Sequence, residues 1–167
     1  MYILLVKRLE SSWFSFKNTV ENILNHHANA LDKVNAFIER KVESEIEDNL
    51  SQEDEEDIED SVSELQNTQQ DEAPITLGKK NPVPLSAITN ISKFKRHLEA
   101  DVKKLQRLSE NLSKFENDFN SGKAEDEKLN RLFELIREKQ EKTDNKKVLV
   151  FTVFKDTAQY LYRELQK

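Results

Sequence analysis

From Leu9 to Ile38 one register runs through Leu9, Trp13, Phe16, Val20, Ile23, His27, Leu31, Val34 and Ile38. Every step is three or four residues, and no Gly or Pro interrupts it. Positions three and four apart share one helix face, so the pattern predicts a single long helix from about Tyr2 to Val42 with a packing seam. At 1.5 Å per residue it would extend roughly 55–60 Å. The alternation of threes and fours predicts coiled-coil-like packing. A second stripe, from Ile91, Phe94 and Leu98 to Leu112, Phe115 and Phe119, predicts another long helix over about Ile88 to Phe119. Ser86 or Thr89 is placed to cap its start, and Asn120-Ser121-Gly122 to end it. Leu129, Leu132, Phe133 and Ile136 predict a shorter helix from Glu125 to Lys142. The two long helices are expected to pair antiparallel, with the third closing the seam. Two Gly and three Pro in 167 residues are too few for the turns of a β-rich fold.

The C-terminal stretch has a different character. Lys147-Val148-Leu149-Val150-Phe151-Thr152-Val153-Phe154 is almost entirely β-branched, aliphatic or aromatic. Such a run predicts a strand buried on both faces, as in a parallel sheet. Lys155 to Lys167 then predicts a helix, capped by Asp156 and apolar at Ala158, Leu161, Tyr162 and Leu165. A strand of this kind needs sheet neighbours, and the sequence offers no other convincing strand. The expected fold is therefore mainly α. It is a long antiparallel helical hairpin or three-helix bundle, with a C-terminal βα unit from an incomplete α/β domain.

The net charge of −6 hides a segregation. Ser44 to Glu72 carries thirteen acidic residues and no basic one, leaving 26 basic against 19 acidic residues elsewhere, a net +7. The acidic segment includes Gln52-Glu53-Asp54-Glu55-Glu56-Asp57 and Gln66-Asn67-Thr68-Gln69-Gln70, and Pro74, Pro82 and Pro84 follow it. Low hydrophobicity with concentrated like charge predicts a disordered surface insert over 44–85, with Ile46, Leu50, Ile58, Val62 and Leu65 allowing a weak helix near its start. The division expected along the chain is 1–43 long helix, 44–85 acidic insert, 86–143 helical region and 144–167 βα unit. Absence of cysteine excludes disulfides and thiolate metal sites and fits a reducing compartment. No stretch approaches the ~20 apolar residues of a membrane span, and Ile3 to Val6, followed by Lys7 and Arg8, is too short for a signal peptide. A cytoplasmic location is expected.

The run from Lys147 to Leu165, with Asp156-Thr157-Ala158 and Tyr160-Leu161, resembles the opening strand and helix of the second RecA-like domain of superfamily-two helicases, the region called motif IV. The likeness is closest to the Swi/Snf branch and its bacterial relatives. Leu4-Leu5-Val6-Lys7-Arg8-Leu9-Glu10-Ser11-Ser12, followed by Phe14 and Phe16, is similar to a segment of bacterial Swi/Snf-like helicases that lies between the motor domains and leads into a helical insertion. The resemblance covers about forty residues at the two ends. It implies that 1–43 links motor lobes, 86–143 is a helical insertion and 144–167 begins the second lobe. Val153 stands where Gln is common in that branch, so no side-chain contact is carried over to it.

The chemistry of such a motor is missing from the chain. A phosphate-cradling loop needs a Gly-rich turn ending in GK[ST] between strand and helix. Gly78-Lys79-Lys80 lacks the hydroxyl residue, Ala73 stands where the first Gly belongs, and the flanks are Pro-rich. Asp54-Glu55-Glu56-Asp57 lacks the preceding buried strand of an acidic helicase box, and no arginine-finger motif follows the βα unit. The chain alone is thus expected to be non-catalytic and to hold no cofactor or metal, while ATP and magnesium belong to the parent enzyme that the resemblance implies. His26-His27 point about 100° apart on a helix, and His97 is distant, which favours packing over metal ligation. Trp13, Phe14 and Phe16 read as core anchors. The basic residues Lys93, Lys95, Arg96, His97, Lys103, Lys104 and Arg107 lie on the polar side of the second long helix. They are the candidate nucleic-acid contacts, since phosphate contacts are sequence-independent and salt-dependent. Thr152 joins them, at the C-terminal end of the expected strand where open α/β sheets place ligands.

The functional expectation is a non-catalytic fragment of an ATP-dependent, Swi/Snf-like DNA helicase or translocase that joins the motor lobes. Its partners would be the remaining motor domains and double-stranded nucleic acid, with no membrane. Exposed helical seams leave room for an oligomer. The alternative is a stand-alone coiled-coil interaction module with an acidic docking segment.

Overall fold

The computed structural model describes residues 2–53, 74–78 and 80–167. The elements in chain order are α1 (Tyr2–Ser11), α2 (Trp13–Glu53), β1 (Thr76–Leu77), β2 (Val83–Pro84), a 3-10 turn (Leu85–Ala87), α3 (Ile91–Asn120), α4 (Glu127–Lys142) and α5 (Lys155–Leu165). The fold is mainly α, as the periodicity predicts. Two compact units divide it: Met1–Asn25 with Lys103–Lys167, and His26–Val102. Helices α2 and α3 each contribute residues to both.

In the first unit the expected single N-terminal helix is interrupted at Ser12. The main-chain ladder still passes through it, Ser12 N–H donating to the Arg8 carbonyl and Phe16 N–H to the Ser12 carbonyl. The Ser12 hydroxyl accepts the Ser15 N–H at 3.1 Å, so Ser12 caps α2 from a helix-like position. The apolar stripes of α2 and α3 meet in an aromatic cluster. Trp13 lies edge-on to Phe115 at 5.3 Å and packs on Phe119 at 5.5 Å, while Lys17, one turn later, reaches Glu116. The start of α2 thus lies against the last turns of α3 within this unit. Asn120 ends α3, and Gly122 takes φ +73°, where only a residue without Cβ is unstrained. Asp126 caps α4 by accepting the Leu129 N–H at 3.1 Å, and Leu129 is buried.

Helix α5 departs from its sequence reading on two counts. Asp156 sits in its first turn and does not cap it; the N-cap is Phe154, with no side-chain cap bond. The stripe Ala158, Leu161, Tyr162, Leu165 is not the buried face. Thr157, Tyr160 and Glu164 are buried, Leu161 is half-buried, and Tyr162 and Leu165 are exposed. The reason is Tyr160. It stacks on Phe14 at 5.7 Å, meets Trp13 edge-on at 5.5 Å, and is only 1% exposed. A ring of that size buries more surface than a leucine and turns the helix about its own axis. Glu164 tolerates burial by pairing with Arg163 at 3.1 Å and Lys167 at 2.8 Å.

The second unit is built on Val34, Leu85 and Leu98, with Ile38, Leu77 and Phe94 packed against them. Here the structure differs again from the expected disordered insert over 44–85. Residues 74–78 and 80–85 are folded, while α2 continues to Glu53 in the part of the insert where the sequence allows a weak helix. β1 and β2 pair antiparallel, Thr76 opposite Pro84 and Leu77 opposite Val83, and Leu85 N–H donates to the Ile75 carbonyl at 3.0 Å. Lys33 ties the hairpin to α2 through the Thr76 carbonyl at 2.9 Å. Gly78, at φ +88°, opens the connection, and a Cβ there would meet the Asn81 carbonyl oxygen at 3.0 Å. Asn90, not Ser86 or Thr89, caps α3 by accepting the Lys93 N–H at 2.8 Å. The expected disorder of the acidic stretch over 54–73 lies outside the described residues, as does its Asp54-Glu55-Glu56-Asp57 run.

Candidate functional site

The strand predicted for 147–154 is not formed. The segment is irregular, bends at Val153 and belongs to no sheet, and among the described residues nothing pairs with its main chain over 148–153. β-propensity reports how a side chain fits a half-buried pleated surface, and no such surface is supplied here. The pleat is nevertheless legible in the burial. Leu149, Phe151 and Val153 are 83%, 90% and 92% exposed, whereas Val148 and Val150 are 38% and 45%, and Thr152 and Phe154 are half-buried. Exposure rises and falls with the two-residue period of a strand, but Val148 and Val150 are themselves exposed and only Thr152 and Phe154 are half-buried. At the upstream end, Thr143 donates its hydroxyl to the Lys139 carbonyl, and Asn145 Oδ1 accepts the Lys147 N–H.

The downstream end is fixed through α5. Arg8 donates to Asp156 at 2.8 Å, and its guanidinium lies 4.7 Å over the Phe154 ring. Ser11 and Ser12 each share a hydrogen bond with the Thr157 hydroxyl, at 2.8 and 2.9 Å. The indole N–H of Trp13 donates to the Tyr160 hydroxyl at 3.1 Å, which donates in turn to Asp126 at 2.8 Å. Burial raises the Tyr160 phenol well above its ordinary range, and its hydrogen bond to Asp126 adds to the rise. An open groove of about 710 Å³ runs beside the segment, bounded by Lys7, Glu10 and Ser11 on α1, by Phe151 to Phe154, and by Thr157 and Leu161 on α5.

Thr152, the candidate near motif IV, lies on this groove, with its hydroxyl accepting the Phe154 N–H at 3.4 Å. It therefore sits in irregular chain outside any sheet, not at the end of a strand. The basic candidates divide between the units. Lys93, Arg96 and His97 are exposed on the first turns of α3 in the second unit, while Lys95 is half-buried and 3.9 Å from Glu99. Lys103, Lys104 and Arg107 are exposed on α3 in the first unit. Gly78 and Lys80 belong to the connection between two antiparallel strands, not to a strand-to-helix turn. The anchoring role of Thr157 and Asp156 escaped sequence reasoning. Arg8, Ser11 and Ser12 were visible only as part of a resemblance, because a hydroxyl in a helix stripe reads as solvent-facing until a partner is known.

Among the described residues, no helix is long and apolar enough to cross a membrane. No family model, curated protein or solved structure matches the chain.

Proposed function

We propose that this chain serves in the cytoplasm as the non-catalytic connector of an ATP-dependent, Swi/Snf-like DNA translocase, joining its two motor lobes and touching the duplex backbone. One observation carries the reading. The two stretches that resemble such helicases, Leu4–Ser12 and Lys147–Leu165, lie side by side in one unit, although Arg8 and Asp156 are 148 positions apart. Their contacts involve the residues of the resemblance themselves: Arg8, Ser11 and Ser12 on one side, Asp156 and Thr157 on the other. A helical insertion that leaves one lobe and returns to the other has to bring its ends together in this way. ATP and magnesium would be held by the lobes. The stand-alone coiled-coil alternative is less well supported, because α5 is no dispensable tail: it supplies Tyr160 to the aromatic cluster.

Two measurements test the proposal. Reading the DNA on both sides of the coding region should reveal a GK[ST] loop and acidic box upstream and arginine-bearing motifs downstream. Titrating the purified chain with a random-sequence duplex should show salt-dependent binding, with a log–log slope of about −2 to −3 for some three phosphates. K93E/R96E and K103E/R107E should each flatten that slope. Absence of binding at low salt, with no motor motifs flanking the frame, would sink the reading.

A further inference from the structure

We propose that the acidic segment 54–73 of this same chain docks on the exposed face of α3 that carries Lys93, Arg96 and His97. The docking needs only charge and connectivity; its displacement by duplex, tested below, rests on the translocase reading. Lys93, Arg96 and His97 stand at i, i+3 and i+4 on α3, all three exposed, and Ala100 follows at i+7, so no acid enters this face. Neither Lys93 nor Arg96 forms an ion pair among the described residues. Glu99 lies 3.9 Å from Lys95 instead. The other side of the same turns is apolar, with Ile91, Phe94 and Leu98 packed in the core beside Val34 and Leu85.

Segment 54–73 supplies the complement, with nine acidic residues and no basic one. Its flanks, α2 up to Glu53 and the chain from Pro74 onward, both belong to the second unit, as the basic face does. The point of return is fixed by packing. Ile75 lies on the Val34, Leu85 and Leu98 core together with Ile91 and Phe94, and its carbonyl accepts the Leu85 N–H at 3.0 Å. Asp71 and Glu72 come four and three positions earlier, so their Cα atoms lie within about 15 Å of Ile75. Lys93, Arg96 and His97 occupy the turns of α3 that pack on that same core. The whole segment can extend over roughly 70 Å, enough for its other acids to follow. Tethering selects this occupant over a separate molecule. A segment joined to the unit at both ends meets the face at an effective concentration on the order of millimolar, far above that of a second copy in dilute solution. Single exposed ion pairs are weak, so a contact made of several is one that salt dissolves.

The chain has no cysteine, so S61C gives a single attachment point for a nitroxide spin label within the segment. In the full chain at about 0.01 M ionic strength, where charges are screened over roughly 30 Å, the amide resonances of residues 93–97 should lose most of their intensity to the label. At about 1 M, with screening over roughly 3 Å, the intensity should return. K93E/R96E should restore it at low salt with helical circular dichroism unchanged, since both side chains are exposed. A random-sequence duplex should restore it in the chain that keeps Lys93 and Arg96. Undiminished resonances at low salt would overturn the proposal, as would a loss that persists at high salt or in K93E/R96E. So would a loss that appears only when spin-labelled chain is mixed with separate isotope-labelled chain, which would make a second copy the occupant. Duplex binding that leaves the loss in place would show that duplex and segment use different faces and would overturn their competition. A loss reversed by salt, in a chain that binds no duplex, would uphold the docking and sink the translocase reading.

Discussion

Replacing Tyr160 by Phe removes one oxygen from the centre of the first unit and nothing else. The ring remains stacked on Phe14 and edge-on to Trp13, so apolar burial is unchanged. Two hydrogen bonds are lost, from the indole of Trp13 at 3.1 Å and to the Asp126 carboxylate at 2.8 Å. A neutral bond contributes about 1 kcal/mol and one to a charged group about 1.5–3 kcal/mol. Trp13 and Asp126 are both half-buried and recover some hydration, so the lower values apply and the expected loss is about 2.5 kcal/mol. For a chain of this length that corresponds to a fall in Tm of about 5–10 °C. Urea denaturation followed by circular dichroism should show a lower midpoint with an unchanged slope, because the surface exposed on unfolding is the same. In a double-mutant cycle with D126A, the two changes should couple by about 1.5 kcal/mol, since they share one bond. A loss under about 0.5 kcal/mol would refute the reasoning, by showing that the hydroxyl is no better bonded in the fold than in water.

The same phenol gives a pH signature. Its folded pKa is raised while the unfolded value is near 10, so the stabilisation is fully present below about pH 10 and is lost as pH rises towards the folded value. A urea series at alkaline pH should show this decline in the unmodified chain and a shallower one in Y160F. T157V leaves Ser11 and Ser12 without their shared partner and should cost about 1–2 kcal/mol, read by urea midpoint. L85A empties a buried position of the second unit and should cost about 2–5 kcal/mol, whereas an exposed site such as Val83 should tolerate alanine within about 0.5 kcal/mol. G122A meets no atom within 4 Å yet must hold φ +73°, so it should cost about 1 kcal/mol from backbone strain alone. Deleting 144–167 should unmask Trp13 and Phe14, and tryptophan fluorescence that stays at its original wavelength after the deletion would contradict the packing described for α5.

The helices were legible because a three-four register is a local property, and the stripes of α2 and α3 needed no knowledge of what covers them. The break at Ser12 was not, since the step from Leu9 to Trp13 keeps the register while a hydroxyl quietly caps the next helix. The hairpin at Thr76–Pro84 was obscured by its prolines. Its signal was the placement of Ile75, Leu77, Val83 and Leu85 about a Gly-Lys-Lys-Asn connection, four short apolar positions in a stretch dominated by acidic neighbours. The strand at 147–154 failed for another reason. Sequence reports that a segment suits a sheet, and only the surroundings decide whether one is there. The candidate site shares that fate, for the apolar run over 148–153 was readable while its exposure was not.

The bond between Arg8 and Asp156 spans 148 positions, and all of His26–Val102 intervenes. Closing a flexible loop of that length costs about 4 kcal/mol of chain entropy before any contact rewards it. During synthesis Trp13 and Phe14 leave the ribosome early, and Tyr160 emerges only after some hundred and forty further residues, at about 5–20 residues per second. For roughly ten seconds or more the aromatic pair is without its ring partner. Meanwhile His26–Val102, one uninterrupted stretch, has every residue of its own core to hand. Order of assembly is thus written into the connectivity, with the interposed unit free to form first and the seating of α5 last.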